Sequence, residues 1–126
     1  MSEAADGAEV VLVGHCGPDE WMLRSAVERA LPGVRIEAVH DEASLEQHLS
    51  AGRVLLVNRV LDGGFSNTSG LDVIAMAVPR GSTALLVSNF EDAQQAAVAA
   101  GAHEGFGKSQ LNLPKTAEIL QAASRS

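Results

Sequence analysis

The sequence predicts a doubly wound α/β domain in which a five-stranded parallel sheet is covered by five helices. Short runs of Val and Leu recur along the chain, and such unbroken apolar runs are typical of strands buried on both faces. Segments with an apolar residue at every third or fourth position lie between these runs, which is the pattern of helices with one buried face. Because strand and helix alternate five times, we expect the right-handed β–α–β crossovers of a parallel sheet.

The predicted strands and helices follow one another along the chain, and no segment has the composition of a linker between two domains. The five strands are predicted at residues 9–14, 34–39, 53–58, 83–88 and 103–107. The first three helices are predicted from their apolar residues, which are Trp21, Leu23, Ala26, Val27, Ala30 and Leu31, then Leu45 and Leu49, then Leu71, Val73, Ile74 and Ala77. The fourth helix is predicted from Asp92 to Ala100, ahead of Gly101. The fifth begins near Asn112, its predicted cap, with Pro114 in the first turn.

One domain accounts for the chain. With 126 residues the chain can bury a continuous core without disulfides or metals, and residues 9–123 are predicted to form that domain. Residues 1–8 and 124–126 are predicted to be flexible termini. Cys16 is the only cysteine, which excludes an internal disulfide and a thiolate metal cluster and favours a reducing cytoplasm.

The charge balance limits the classes of partner. The 9 basic residues stand against 16 acidic residues, so the net charge is −7, and this charge repels phosphate backbones and anionic lipid surfaces. No apolar run approaches the roughly 20 residues needed to span a bilayer, and the N-terminus lacks the basic and apolar regions of an export signal. We therefore expect a cytoplasmic protein that binds neither nucleic acid nor membrane.

Small and polar residues follow four of the predicted strands at the point where each strand ends. They are Gly14, His15 and Cys16 after the first strand, Asn58 at the end of the third, Ser88 and Asn89 at the end of the fourth, and Lys108 after the fifth. In a doubly wound sheet, ligands bind beyond the carboxyl ends of the strands. The sequence therefore predicts the working site at this edge.

The order and spacing of these residues resemble the receiver domain of bacterial two-component response regulators over about residues 9–123. The resemblance implies a flavodoxin-like receiver fold with strand order 2-1-3-4-5. In that family an acidic pair ends the first strand, a phosphoacceptor aspartate ends the third, Ser or Thr ends the fourth and a lysine follows the fifth. Ser88 matches the hydroxyl position, and Lys108 in GAHEGFGKS matches the lysine. Asp62-Gly63-Gly64 and Gly70-Leu71 resemble the turn and helix start that follow the acceptor.

The chain departs from the receiver pattern at the positions that carry the chemistry. Asn58 stands at the phosphoacceptor position. Gly14 and His15 stand where the acidic pair is expected, or His15 and Cys16 if one residue has been inserted. An amide cannot serve as the nucleophile because its lone pair is delocalised, and these residues offer magnesium none of the carboxylates it prefers. We predict a degenerate receiver without phosphorylation, bound metal, cofactor or catalysis.

The amide at position 58 has a predicted structural role. Asn58 is nearly isosteric with aspartate, and its oxygen is predicted to accept a hydrogen bond from Lys108 or Ser88. Such a bond would stabilise a lysine that has lost its carboxylate partners. Ser88 is explained equally well as a strand-end hydroxyl bonded to the backbone.

The resemblance implies docking on a protein partner, such as a histidine kinase or an output protein. The docking face would be made by the fourth helix, fifth strand and fifth helix, here Asp92–Ala100, Phe106 and Leu113–Ala122. The same face would serve a homodimer. Gly105, beside Phe106, occupies the position of the family's aromatic switch residue, and Ser109 replaces the proline that commonly follows the lysine.

Two other functions stay open. Lys108, assisted by His15, would make the pocket a sensor for a small anion. Asp19 or Asp62 would make the chain a phosphoreceiver with displaced acids. The simpler explanation of Asp19 is that it stabilises the start of the first helix through the helix dipole.

Some weaker signals favour structural roles. His15 and Cys16 form a couple that can act as a nucleophile, but adjacent side chains rarely reach one point, and no orienting acid is evident. The four histidines lack metal-ligand spacing and are predicted to be solvated or capping residues. The Gly- and Ser-rich loop 63–70 is typical of a lengthened, mobile connection or of an anion site. Trp21 is expected close to the pocket.

Overall fold

The computed structural model describes residues 9–125, in which five parallel strands alternate with five α-helices. The strands are β1 (Glu9–Val13), β2 (Arg35–Val39), β3 (Arg53–Asn58), β4 (Thr83–Val87) and β5 (His103–Phe106). The helices are α1 (Gly17–Ala30), α2 (Glu42–Glu46), α3 (Gly70–Ala77), α4 (Glu91–Ala99) and α5 (Pro114–Ser124). The sheet order is β2-β1-β3-β4-β5, which confirms the predicted fold class and strand order.

The inner strands β1, β3 and β4 are apolar along their central residues because both of their faces are covered. Val11, Leu55 and Leu86 point into a core that contains residues of α2, α3 and α4, including Ile74. Val10, Leu12, Leu56 and Leu85 point to the other face, where Leu23 and Val27 of α1 and Leu120 of α5 complete a second core. Each fully buried Val or Leu side chain contributes about 1.5–3 kcal/mol, so these two cores supply most of the stability that fixes the strand ends.

The parallel register brings the predicted site residues to one edge of the sheet. Val13 pairs with Val57, and Asn58 pairs with Val87, so Gly14, Asn58 and Ser88 lie next to one another at the strand ends. Gly14 has φ of 72°, and a Cβ there would lie 2.7 Å from Cδ2 of Leu61. Only glycine fits both the left-handed backbone and this close contact.

The last two strands pair irregularly. Leu85 pairs with His103 and Val87 with Phe106, and the register shifts between these pairs. A Cβ at Gly105 would overlap the carbonyl oxygen of Leu86. Gly105 therefore permits the close approach of β5 to β4, and it leaves a side-chain position empty at the edge of the sheet.

The structure corrects three local predictions. Trp21 lies in α1 as predicted, but its side chain is 70% exposed and takes no part in the buried stripe. Helix α2 ends at Glu46, so Leu49 lies beyond the helix, although its side chain still packs against the core. Leu113 is the N-cap of α5; the Oδ1 atom of Asn112 instead accepts a hydrogen bond of 2.7 Å from Nη2 of Arg29.

The chain ends lie partly outside what the structure describes. The predicted flexible segments 1–8 and residue 126 are outside the described residues. Helix α5 includes Ser124, one residue past the predicted domain end. Within residues 9–125, no helix combines the length and the hydrophobicity needed to cross a membrane.

Candidate functional site

A cavity of about 310 Å³ lies at the carboxyl ends of β3 and β4, and we call it the strand-end pocket. Its lining contains three residues predicted for the site, Asn58, Ser88 and Lys108. Arg59 and Phe90 form part of the wall, with the Arg59 guanidinium 4.8 Å from the centre of the Phe90 ring. The structure therefore brings these three predicted residues together at the carboxyl edge of the sheet.

Asn58 uses its amide in a way the sequence did not predict. Its Nδ2 atom donates a hydrogen bond of 2.9 Å to the carbonyl oxygen of Gly14. Our expectation that its oxygen would hold Lys108 is thereby corrected, because Lys108 has another partner. An aspartate could not make this bond, since an ionised carboxylate only accepts hydrogen bonds and would face a second acceptor. The amide thus ties the end of β3 to the loop after β1.

Lys108 is paired with a carboxylate from α1. Its Nζ atom lies 2.9 Å from Oδ2 of Asp19, and the two side chains are 34% and 30% exposed. The hydrogen bond from Lys108 lowers the pKa of Asp19 below its ordinary value, burial opposes this change, and the Cys16 thiol adds a second hydrogen bond that lowers the pKa. The simpler expectation for Asp19 was that it stabilises the start of the first helix. The structure shows in addition that its carboxylate binds Lys108.

His15 is buried, which corrects the prediction that the histidines are solvated or capping residues. Its side chain is 1% exposed, and Nε2 lies 2.8 Å from the carbonyl oxygen of Leu56. Because that oxygen only accepts, Nε2 carries the hydrogen and Nδ1 is a bare acceptor without a hydrogen-bond partner among the described residues. Burial lowers the pKa of His15 to about 4, and the charge of Lys108 acts in the same direction. His15 is therefore neutral near pH 7 and adds no positive charge to the pocket.

Ser88 follows the simpler of its two explanations. It is buried, and its Oγ atom accepts a hydrogen bond of 3.1 Å from the backbone N–H of Phe90. The backbone N–H of Ser88 donates to the carbonyl oxygen of Phe106 at 3.0 Å. Its hydroxyl therefore shapes the turn that leads into α4.

The loop at 63–70 binds a side-chain carboxylate of the same chain, that of Glu42. The Glu42 carboxylate accepts hydrogen bonds from the backbone N–H groups of Ser66 and Asn67 at 3.1 and 3.2 Å, and from Oγ of Ser66 at 2.9 Å. These bonds hold the pKa of the Glu42 carboxyl below its ordinary value. The donors that the sequence offered to an external anion are thus occupied, while Asp62 is exposed beside the loop.

Two amide side chains hold the ends of β4 and β5 together, and the sequence identified neither role. The Nε2 atom of Gln94 in α4 donates to three backbone carbonyl oxygens, those of Leu86, Ser88 and Phe106, at 2.9, 3.1 and 3.3 Å. Its Oε1 atom is buried without a partner among the described residues, 2.7 Å from where a Cβ at Gly105 would lie. The glycine at the switch position was the signal that some other side chain fills this space.

Asn89 is the second organising amide. Its Oδ1 atom accepts from the backbone N–H and from Oγ of Ser109, both at 3.1 Å. A Cβ at Gly107 would overlap this oxygen. The replacement of the usual proline by Ser109 therefore supplies a backbone donor that proline lacks, and it fastens the loop after β5 to the end of β4.

The remaining histidines do not assemble a metal site. Nε2 of His40 lies 2.8 Å from Glu20, and Nδ1 of His48 lies 3.3 Å from Glu9 at the opposite end of the sheet. Among the residues from 9 to 125, no group of three or more His, Cys, Asp or Glu side chains is arranged to hold a metal ion.

Solved structures of receiver domains share this fold. The response regulator receiver domain of Rhodospirillum rubrum matches with a TM-score of 0.63 at 17% identity, over 94% of this chain and 92% of that one. A signal receiver domain of a DNA-binding response regulator from Colwellia psychrerythraea 34H matches with a TM-score of 0.69 at 15% identity, over 94% and 99%. A response regulator from Burkholderia pseudomallei with a phosphorylated aspartic acid and a calcium ion has a TM-score of 0.58 at 19% identity, over 91% and 71%.

The sequence matches no protein-family model and no curated protein. The likeness to solved structures establishes the fold of the chain, which is the flavodoxin-like receiver fold. The chemistry of the pocket has to be argued from its own residues.

Proposed function

We propose that the chain is a receiver-like signalling domain that binds a protein partner without being phosphorylated. One observation carries this proposal: the polar side chains of the strand-end pocket already have hydrogen-bond partners within the chain. Asn58 binds the Gly14 carbonyl group, Lys108 binds Asp19, and Ser88 accepts from Phe90. A phosphoryl group would have to displace these internal bonds and would find no carboxylate at position 58 to accept it.

The same residues argue against a magnesium-dependent reaction. Magnesium prefers hard oxygen ligands in octahedral geometry, and at protein sites it is usually held by one or two carboxylates. Gly14, His15 and Asn58 supply no carboxylate, and Asp19 is committed to Lys108. A metal would therefore compete with a lysine for the nearest acid of the pocket. Without nucleophile and metal, we propose that the chain is not an enzyme and requires no cofactor.

A small-anion sensor is the second candidate, and Arg59 in the pocket wall is the observation that favours it. Two observations weaken it. His15 is neutral because burial lowers its pKa to about 4. The charge of Lys108 is compensated by Asp19 at 2.9 Å. The pocket therefore holds less positive charge than the sequence predicted.

The test is phosphate uptake from acetyl phosphate with magnesium, measured by intact mass. We expect no added mass in the natural chain, whereas the response regulator from Burkholderia pseudomallei, whose solved structure contains a phosphorylated aspartic acid, serves as the positive control. We also expect none in Asn58→Asp, because restoring one carboxylate does not restore the acidic pair. A mass gain of one phosphate in the natural chain would overturn the proposal. Loss of that gain in Asp19→Asn or in Asp62→Asn would then identify the displaced acceptor.

A further inference from the structure

A second concave surface, which we call the acidic groove, lies between α4 and β5. Its volume is about 510 Å³. The lining carries two carboxylates, from Glu91 at the start of α4 and Glu104 in β5, together with amide and hydroxyl side chains. The residues that line it include no Lys, Arg or His. Both charges in the groove are therefore negative.

Gly105 contributes no side chain to the groove. In its place Gln94 reaches across and binds the carbonyl oxygens at the ends of β4 and β5. Lys108, the nearest cation along the chain, is drawn to the other side of the sheet by Asp19. Lys108 therefore does not neutralise the carboxylates of the groove.

A small apolar notch continues the groove across β5. It has a volume of about 90 Å³, and Leu113, Ile119 and Phe106 contribute to its lining. It shares Glu104 and Gly105 with the groove. Leu113 is 50% exposed, so the notch presents an apolar side chain beside an acidic surface.

We propose that the acidic groove binds a cationic segment of a partner protein. An Arg or Lys side chain of that segment would enter the groove near Glu91 and Glu104, and a neighbouring aliphatic side chain would pack against Leu113. Charge complementarity supports this occupant, because a groove lined by two carboxylates and no cationic side chain, on a chain of net charge −7, attracts cations. This inference rests on the proposed function, since it names the chemistry of the partner.

The existing ion pair at the edge of the groove is weak enough to be exchanged. Glu104 lies 3.2 Å from Lys115, and both side chains are about two-thirds exposed, at 66% and 69%. Exposed pairs of this kind contribute little, whereas a guanidinium can bind a carboxylate through two parallel hydrogen bonds. Within residues 9–125, Glu91 has no ion-pair partner.

The test is a titration of the full chain into a fluorescein-labelled peptide of alternating Arg and Leu, followed by anisotropy. We expect saturable binding that weakens as salt is added, and no binding of the matched Glu–Leu peptide. Glu91→Gln should raise Kd about threefold, the size expected for one exposed charge pair. The control is Glu28→Gln, which removes the same charge from the exposed face of α1.

A second pair of variants adds charge instead of removing it. Gln95→Lys places a cation in the groove, and Gln47→Lys places one at the exposed end of α2. We expect the first to weaken binding by more than threefold and more than the second, because only a groove cation meets the ligand directly. Equal losses in the groove and control variants, or no salt-sensitive binding, would overturn the inference.

The titration is repeated after treatment with acetyl phosphate and magnesium, with the mass measured on the same sample. Unchanged mass with no difference between groove and control variants would reject the acidic groove and leave the proposed function standing. Added phosphate would reject the proposed function whatever the peptide does. Unchanged mass with a groove-specific loss of affinity supports both.

Discussion

The strand-end pocket and the acidic groove meet at the end of β4, where they share Ser88 and Asn89, yet they treat their polar groups in opposite ways. In the pocket, the one lysine is matched by a carboxylate, and Asn58 is matched by a carbonyl group. In the groove, Glu91 has no counterion among residues 9–125. The chain has thus satisfied the polar side chains of the pocket internally and has left charge available on the neighbouring surface.

This difference teaches how the charged and polar groups of a partly buried pocket can be satisfied within the chain. Removing carboxylates from a pocket that keeps its lysine leaves a partly buried cation, which costs free energy unless another acid reaches it. Asp19 reaches it from α1. The carboxylates of the groove need no such counterion, because they are exposed to water. We therefore expect mutations in the pocket to act on stability and mutations at the rim of the groove to act on binding.

The largest expected effect is the pH dependence of stability that comes from the buried His15. Burial lowers the pKa of His15 to about 4 from an ordinary value of 6.5. Between these values the unfolded chain binds a proton that the folded chain refuses, so stability is full above 6.5 and falls as the pH drops toward 4. We expect the free energy of unfolding to fall by about 2 kcal/mol between about pH 7 and about pH 5, measured by urea denaturation.

A matched pair of variants assigns this pH dependence. His15→Gln keeps a donor for the Leu56 carbonyl group but cannot titrate, so its stability should be nearly independent of pH in this range. His103→Gln changes an exposed histidine and should keep the natural slope. The pKa of Glu9 is lowered because Arg53 and His48 outweigh the opposing effect of burial, and its contribution is lost only as the pH falls below about 4.5. A natural slope in His15→Gln would contradict the assignment.

The sequence predicted the fold because the fold depends on patterns that are local. Apolar runs in the first, third and fourth strands, alternating with helical periods, specify a parallel sheet covered on both faces, and the ends of parallel strands share an edge. That reasoning placed Asn58, Ser88 and Lys108 in one pocket, as the structure has them. Position along the chain was sufficient for this step.

The sequence did not predict which atoms bind one another, because those choices depend on distant elements. Asn58 and Gly14 are 44 residues apart, and Lys108 and Asp19 are 89 apart. The direction in which Asn58 uses its amide follows from where the Gly14 carbonyl group points, and burial of His15 follows from how α1 packs on β3. Gln94 gave no signal of its own, since either of the two glutamines in this Ala-rich helix resembles a solvated residue.

The second expected effect tests whether the amides on the groove side are structural. Gln94→Ala removes a donor from three carbonyl oxygens at the ends of β4 and β5. We expect a loss of about 2 kcal/mol in the free energy of unfolding, because the carbonyl groups of Leu86 and Ser88 would each lose a hydrogen bond. The Phe106 carbonyl group would keep the hydrogen bond from the Ser88 N–H. Gln95→Ala makes the same change at the exposed neighbouring position and should stay within about 0.5 kcal/mol of the natural chain. Urea denaturation at neutral pH measures both. If both variants lose equally little stability, the hydrogen bonds of Gln94 do not stabilise the ends of β4 and β5, and Gln94 is a surface residue in solution.

The smallest expected stability effect is the most informative about function. Asp19→Asn removes the carboxylate that holds Lys108, but the pair is about one-third exposed, so the loss should stay below about 1 kcal/mol. Glu46→Gln breaks the exposed pair with Arg80 and matches the change in charge. Freed from Asp19, Lys108 faces the strand-end pocket together with Arg59.

Inorganic phosphate should therefore raise the melting temperature of Asp19→Asn while leaving the natural chain and Glu46→Gln unchanged. Ligand binding stabilises only a folded state that has a site for it, so the thermal shift reports the site directly. Equal stabilisation of the natural chain would mean that Asp19 does not close the pocket, and the anion sensor would then replace phosphorylation-independent docking as the better function. A shift confined to Asp19→Asn would mean that a single carboxylate separates a closed pocket from an anion-binding one, since one charge decides whether Lys108 is available.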